Sequence, residues 1–190
     1  MYELPNSVIV NGRKFAIRGK ADYRVILDVI AACQDTELEM YEQTITALTI
    51  FYEGINDYDD VFTVFSDISA AVTAMTDLIS MEKEEIGYRV NHKLIDWQQD
   101  EYLIVSAVNN AAHTEIRAIP YMHWWTFISH YMAIGECALS TIVGIRDKIA
   151  RGKKLEKHEQ EFRRQNPQYF RWKTEERQAQ NLFDELWNKK

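Results

Sequence analysis

From Asp22 onward, apolar residues recur at alternating steps of three and four, the period of helices that each bury one face. Leu38, Tyr41, Ile45, Leu48 and Tyr52 make one stripe. Val61, Phe65, Ile68, Val72, Met75 and Ile79 make another, which reads as one continuous helix. Breakers are scarce, with 7 Gly and 3 Pro among 190 residues. Long regular elements are therefore predicted, and a barrel, a sandwich or a Gly-rich nucleotide fold is disfavoured.

The exception comes first in the chain. Val8-Ile9-Val10 and Phe15-Ala16-Ile17 flank Asn11-Gly12, two residues that tolerate the positive φ of a type I′ turn, so residues 7–17 read as a β-hairpin. A two-residue loop sets Val10 opposite Arg13 and Val8 opposite Phe15. Val8, Val10, Phe15 and Ile17 then share one face, which another element must cover.

Helix ends can be read from their caps. Asp22 is the expected N-cap of a helix to about Cys33, and Thr36-Glu37-Leu38-Glu39 matches a capping box opening the next, with Gly54 as its stop. Residues 82–94 read as a charged connection. Asp96 is the expected cap of a helix to about Asn110, with Tyr102, Val105 and Val108 inward. After a connection at 111–120, Tyr121 to Ile134 reads as the most aromatic helix, ended by Gly135. Tyr121, Trp124, Trp125, Ile128 and Met132 line one face, and His123, Phe127, His130 and Ile134 another. Ala138 to Arg151 follows, with Ile142, Ile145 and Ile149 inward and Gly152 as its stop. A charged helix at 155–165 ends before Pro167, and Glu175 to Trp187 reads as a last helix. The expected fold is mainly α. It is a single compact helical domain, 1–152, with the N-terminal hairpin, then a charged and aromatic helical extension, 153–190.

At 46% hydrophobic and 27% charged, the chain has the composition of a folded protein. A chain of this length buries roughly 70% of its unfolded surface, enough to fold without a metal or disulfide staple. Apolar runs fall far short of the ~20 residues that cross a bilayer, and no membrane association is expected. The start MYELPNSVIV lacks the pattern of a secretory signal, and two cysteines, Cys33 and Cys137, fit a reducing compartment. Charge is uneven. Residues 1–144 hold 9 Lys and Arg against 21 Asp and Glu, and residues 145–173 hold 10 against 4. The basic segment suits an acidic surface or simply a solvated helix, and the acidic body disfavours nucleic acid.

Catalytic signatures are missing from the sequence. It contains no phosphate-binding Gly-rich loop, no G-x-S-x-G and no C-x-x-C. His123 and His130 are two turns apart, too far to share a metal. Asp96, Asp100 and Glu101 read as first-turn acids that complement a helix dipole. No cofactor, no metal and no enzymatic activity are expected. Trp124 and Trp125 point about 100° apart on a helix, so both are buried only if elements or partners lie on two sides. Phe170, Trp172, Phe183 and Trp187 either dock a partner or pack back on their own domain.

Leu4-Pro5 with Val8-Ile9-Val10-Asn11-Gly12 and then Asp22-Tyr23-Arg24 resembles the opening of the phage gene-product-fifteen family. Ile95-Asp96 to Tyr102-Leu103-Ile104 is similar to its middle. Met122-His123-Trp124-Trp125-Thr126-Phe127, then Ile145-Arg146, a Lys/Glu-rich helix and Tyr169-Phe170 are the most specific part. The resemblance spans roughly residues 3–170. It implies a tail assembly chaperone of long-tailed phages or prophages of Gram-positive bacteria. Such a protein binds the helical, aggregation-prone tape measure protein in the host cytoplasm until tail tube subunits displace it, and is absent from the mature virion.

A surface for that client or for self-association is expected at His123, Trp124, Phe127 and Tyr131, with the basic Arg146, Arg151, Lys153 and Lys154, and with Phe170 and Trp172 on the C-terminal arm. The stripes at 38–52 and 61–79 suit a homo-oligomer as well as a core. Two other classes share the lack of catalytic motifs: a head–tail connector or tail completion protein, and a nucleic-acid-binding phage regulator using Arg146–Lys173.

Overall fold

Two strands, Ser7–Val10 (β1) and Arg13–Ala16 (β2), pair antiparallel with Val10 opposite Arg13 and Val8 opposite Phe15, the register the turn dictates. Asn11 and Gly12 both take positive φ, 48° and 79°. Ile17 is fully buried, Val10 nearly so, and Ile9 on the opposite face is 69% exposed.

The computed structural model describes residues 3–81 and 93–173. Among these, the helices are Tyr23–Gln34 (α1), Met40–Phe51 (α2), Tyr58–Val64 (α3), Ile68–Ser80 (α4), Glu101–Ala112 (α5), Trp124–Met132 (α6), Ala138–Ala150 (α7) and Lys157–Gln165 (α8). Short 3-10 turns lie at Arg18–Lys20 and Pro167–Tyr169. The protein is mainly α with an N-terminal hairpin, as its periodicity predicts. Residues 82–92 of the expected connection at 82–94, and the expected helix from Glu175 to Trp187, lie outside the described residues.

The described chain divides into two compact units, 3–81 with 111–133, and 93–110 with 134–173. Residues 134–152 thus group with 153–173, whereas the sequence suggests a boundary at 152/153.

In the first unit, α1 packs on α2 and α6, and α2 on α3 and α4, while α4 covers β1. Phe15, Tyr52 and Phe65 form an aromatic cluster under the hairpin, with ring centroids 4.8–5.9 Å apart. Burial raises the pKa of the Tyr52 phenol, which donates to the Ala71 carbonyl at 2.7 Å. Arg18 closes the end of α2 by donating to the carbonyls of Thr49, Ile50, Tyr52 and Ile55 at 2.6–3.2 Å.

Before α6, three stretches depart from the helices expected. The second helix opens at Glu39, where the Glu42 carboxylate accepts from the Glu39 N–H at 2.9 Å. The expected box at Thr36 does not form, because Asp35 ties the preceding turn through the Glu37 N–H and the Gln43 amide. The stripe at 61–79 is two helices, bent by 101° at the break before Asp67. Asp67 accepts from the Ala70 N–H at 3.0 Å and starts a new helix. Its buried face is Ala71, Met75 and Leu78, one position away from the predicted Val72 and Ile79. In α5, Asp96 caps a preceding turn, accepting from the Gln98 and Gln99 N–H groups, and the inward residues are Ile104, Ala107 and Val108. Tyr102, expected inside, is 81% exposed.

Asp22 caps α1 as read, accepting from the Arg24 N–H at 3.0 Å. Gly152, at φ 65°, follows the end of α7, and α8 stops before Pro167.

Candidate functional site

Asp22 also fixes where the aromatic helix begins. Tyr23 N–H donates to the Met122 carbonyl at 2.9 Å, and Trp124 N–H to the Ala21 carbonyl at 2.8 Å, so residues around His123 are held extended. The Asp22 carboxylate accepts from the Met122 N–H at 3.0 Å and from the Arg24 guanidinium at 3.1 Å. Arg24 in turn donates to the carbonyls of Ile116 and Ile119. Helix α6 therefore starts at Trp124, not at Tyr121, and it ends at Met132, ahead of Gly135.

His123 is the cap. Its Nδ1 accepts from the Trp125 N–H at 3.0 Å, so the ring proton sits on Nε2 and donates to the Pro5 carbonyl at 2.9 Å. Burial pushes the His123 pKa down, partly offset by the bond to Pro5. The two indoles donate to the last carbonyls of α4, Trp124 to Ile79 and Trp125 to Leu78, each at 2.9 Å. Tyr23 stacks on Phe127 at 4.7 Å between centroids.

His123, Trp124 and Phe127 are only 2%, 2% and 1% exposed, so they pack the interior of the first unit and offer no surface to a partner in this conformation. Elements flank α6 on both sides, which is how Trp124 and Trp125 find cover without a partner. Tyr131 is half-buried.

The basic segment splits in the same way. Arg146 is buried in the second unit and forms a bidentate pair with Asp100 at 2.6 and 2.9 Å. It also donates to the carbonyls of Leu94 and Tyr169, and its guanidinium lies 4.3 Å over the Trp172 ring. Gln99 holds the same arm, donating to the Arg171 carbonyl at 2.8 Å and accepting from the Lys173 N–H at 3.0 Å. Phe170 meets Phe162 edge-on. Through Lys173, then, the arm packs back on its own unit; Phe183 and Trp187 lie outside the described residues. Arg151, Lys153 and Lys154 are exposed, with Arg151 paired to Asp147 at 2.7 Å.

Two exposed concave surfaces stand out among the described residues. In the first unit, α2 and α3 enclose an open groove of about 400 Å³, lined by Leu38, Tyr41, Ile45, Ile50, Asp57 and Tyr58. Beside it Met40 is 80% exposed, and the exposed Tyr58 and Phe62 rings sit 4.7 Å apart. The groove is acidic. Residues 35–60 hold 8 Asp and Glu and no Lys or Arg, and the Glu42 carboxylate raises the pKa of the Tyr41 phenol. The periodicity placed Tyr41 on a buried face; the signal for exposure was this run of carboxylates beside aromatics. In the second unit, Leu155, Gln160, Arg163, Arg164, Pro167 and Arg171 line a cleft of about 610 Å³.

Among the described residues no three His, Cys, Asp or Glu side chains are grouped to hold a metal ion. No single described helix is long and apolar enough to cross a membrane; α3 and α4 reach that length only as a pair bent by 101°. No curated protein and no solved structure matches the chain. Its sequence matches the family model described as Bacteriophage Gp15 protein over residues 1–170, and the chain belongs to that phage protein family.

Proposed function

We propose that the protein is a tail assembly chaperone that holds the phage tape measure protein soluble through the α2–α3 groove. The observation that carries this reading is the exposed Met40, Tyr41, Tyr58 and Phe62 around a groove with carboxylates at its rim. Exposed aromatic clusters of this kind mark interaction sites, and a groove between helices accepts the apolar face of a further helix. The acidic rim selects a client helix whose apolar stripe is flanked by Lys or Arg. The protein acts by covering surface, without bond-making, in the host cytoplasm. Modest affinity at each site, repeated along a long client, lets tail tube subunits displace it.

The test is co-expression with the tape measure protein. Wild type is expected to keep the client soluble and to co-purify with it. Tyr41→Lys with Phe62→Lys is expected to lose both while remaining folded. Retained co-purification by that variant removes the groove. Presence of the protein in fixed copies in purified virions would identify a head–tail connector instead.

A further inference from the structure

Three arginines, Arg163, Arg164 and Arg171, line the cleft of the second unit. The guanidinium groups of Arg163 and Arg171 make no ion pair or hydrogen bond among the described residues, and Arg164 is partly neutralised by Glu161 at 2.7 Å. A helix dipole favours Arg163 and Arg164 in the last turn of α8, but Arg171 lies past that helix and lines the same cleft. Planar guanidinium groups recognise carboxylates with directional paired bonds.

We propose that this cleft takes the acidic edge of the α2–α3 groove of a second copy of the chain, making a head-to-tail contact. Charge complementarity argues for this occupant. Residues 145–173 carry 10 Lys and Arg against 4 Asp and Glu, while residues 35–60 carry 8 carboxylates and no Lys or Arg. Asp57 and Tyr58 line the groove, Tyr58 is 52% exposed, and the exposed carboxylate of Asp59, next in the chain, makes no hydrogen bond or ion pair among the described residues. Nucleic acid fits less well, because residues 1–144 hold 21 acids against 9 bases and would repel phosphates. The two faces differ, so a copy that has used one still offers the other, and association goes beyond a dimer as a ring or an open array. The inference rests on reading the groove as a binding face. It adds that a basic-flanked client helix and the arginine cleft compete for the same edge.

Sedimentation of the full chain alone tests it, so failure here leaves the client reading standing, and loss of client binding leaves this one standing. Wild type is expected to form species above monomer at low salt and to dissociate at high salt. Arg163→Glu/Arg171→Glu and Tyr58→Lys/Asp59→Lys should each be monomeric at low salt. The chain carrying both pairs should regain the larger species, because the reversed faces are again complementary. Arg163→Gln/Arg171→Gln provides the same loss if the reversal fails to fold. A wild type that stays monomeric at low salt overturns the proposal. So does association that survives both single-face reversals, or a DNA gel shift that depends on Arg163 and Arg171 in a monomeric chain.

Discussion

In the first unit, the side chains at the start of α6 serve backbone groups. His123, Trp124 and Trp125 each meet a main-chain N–H or C=O, and the packing around them is aromatic and aliphatic. In the second unit, two opposite charges meet each other in the interior, Arg146 at 4% and Asp100 at 1% side-chain exposure. The difference lies in what is stranded when one partner is lost. Loss of an indole N–H leaves a neutral carbonyl without its donor, whereas loss of a carboxylate leaves a guanidinium charge without a counterion. A buried ion pair adds little net stability over a well-packed apolar pair, so its role is to fix which segments meet. Here it joins Leu94, Asp100 and Tyr169 to α7.

The largest effect should therefore come from the second unit. Asp100→Ala is expected to cost about 3–5 kcal/mol in urea unfolding, as broken buried pairs do. A cost below about 1 kcal/mol, the range of exposed pairs, would erase the contrast between the units. In the first unit, Trp124→Phe keeps a ring but removes the donor to the Ile79 carbonyl. It should cost about 1–3 kcal/mol, the penalty of one unsatisfied buried group.

The cap of α6 also gives the first unit a pH response. His123 in the folded chain has a pKa below its usual 6.5, so below that value the unfolded chain binds a proton that the folded one refuses. Stability from this group is present above pH 6.5 and declines as pH falls toward the lower folded value. Protonation would also set a ring N–H against the Trp125 N–H it caps. Thermal denaturation at a series of pH values should show this slope, and His123→Ala should remove it at a cost of about 0.5–2 kcal/mol for the lost cap.

Local features were legible in the sequence and distant ones were not. The hairpin register follows from Asn11-Gly12, and the caps at Asp22 and past α7 follow from residue types within a turn. The break at Asp67 was hidden because the apolar spacing runs through it unchanged; a side-chain cap overrode the period. The start of α6 was hidden because residues 121–123 are held extended by the chain near Asp22, about a hundred positions earlier. The Arg146–Asp100 pair spans 46 positions, and each residue alone reads as a solvated charge. At the candidate site, the aromatic and acidic residues of 38–62 were visible, but a stripe that can serve a core or a groove does not say which. Only the bend after α3, with Tyr58 and Phe62 left outside, decides it.

The smallest effect sharpens the contrast within one helix. Arg146 and Arg151 both lie in the basic segment and are chemically the same, yet Arg151 is exposed and paired with Asp147 one turn away, with side-chain exposures of 36% and 27%. An exposed i,i+4 pair contributes about 0.3–0.5 kcal/mol and is screened by salt. Arg151→Ala should therefore shift the urea midpoint barely at all, and by less still at high salt. Arg146→Ala should match Asp100→Ala in magnitude and be insensitive to salt, since no ions reach the pair. Equal costs for the two arginines would mean that the interior of the second unit is open to solvent and that burial of Arg146 does not set its energetics.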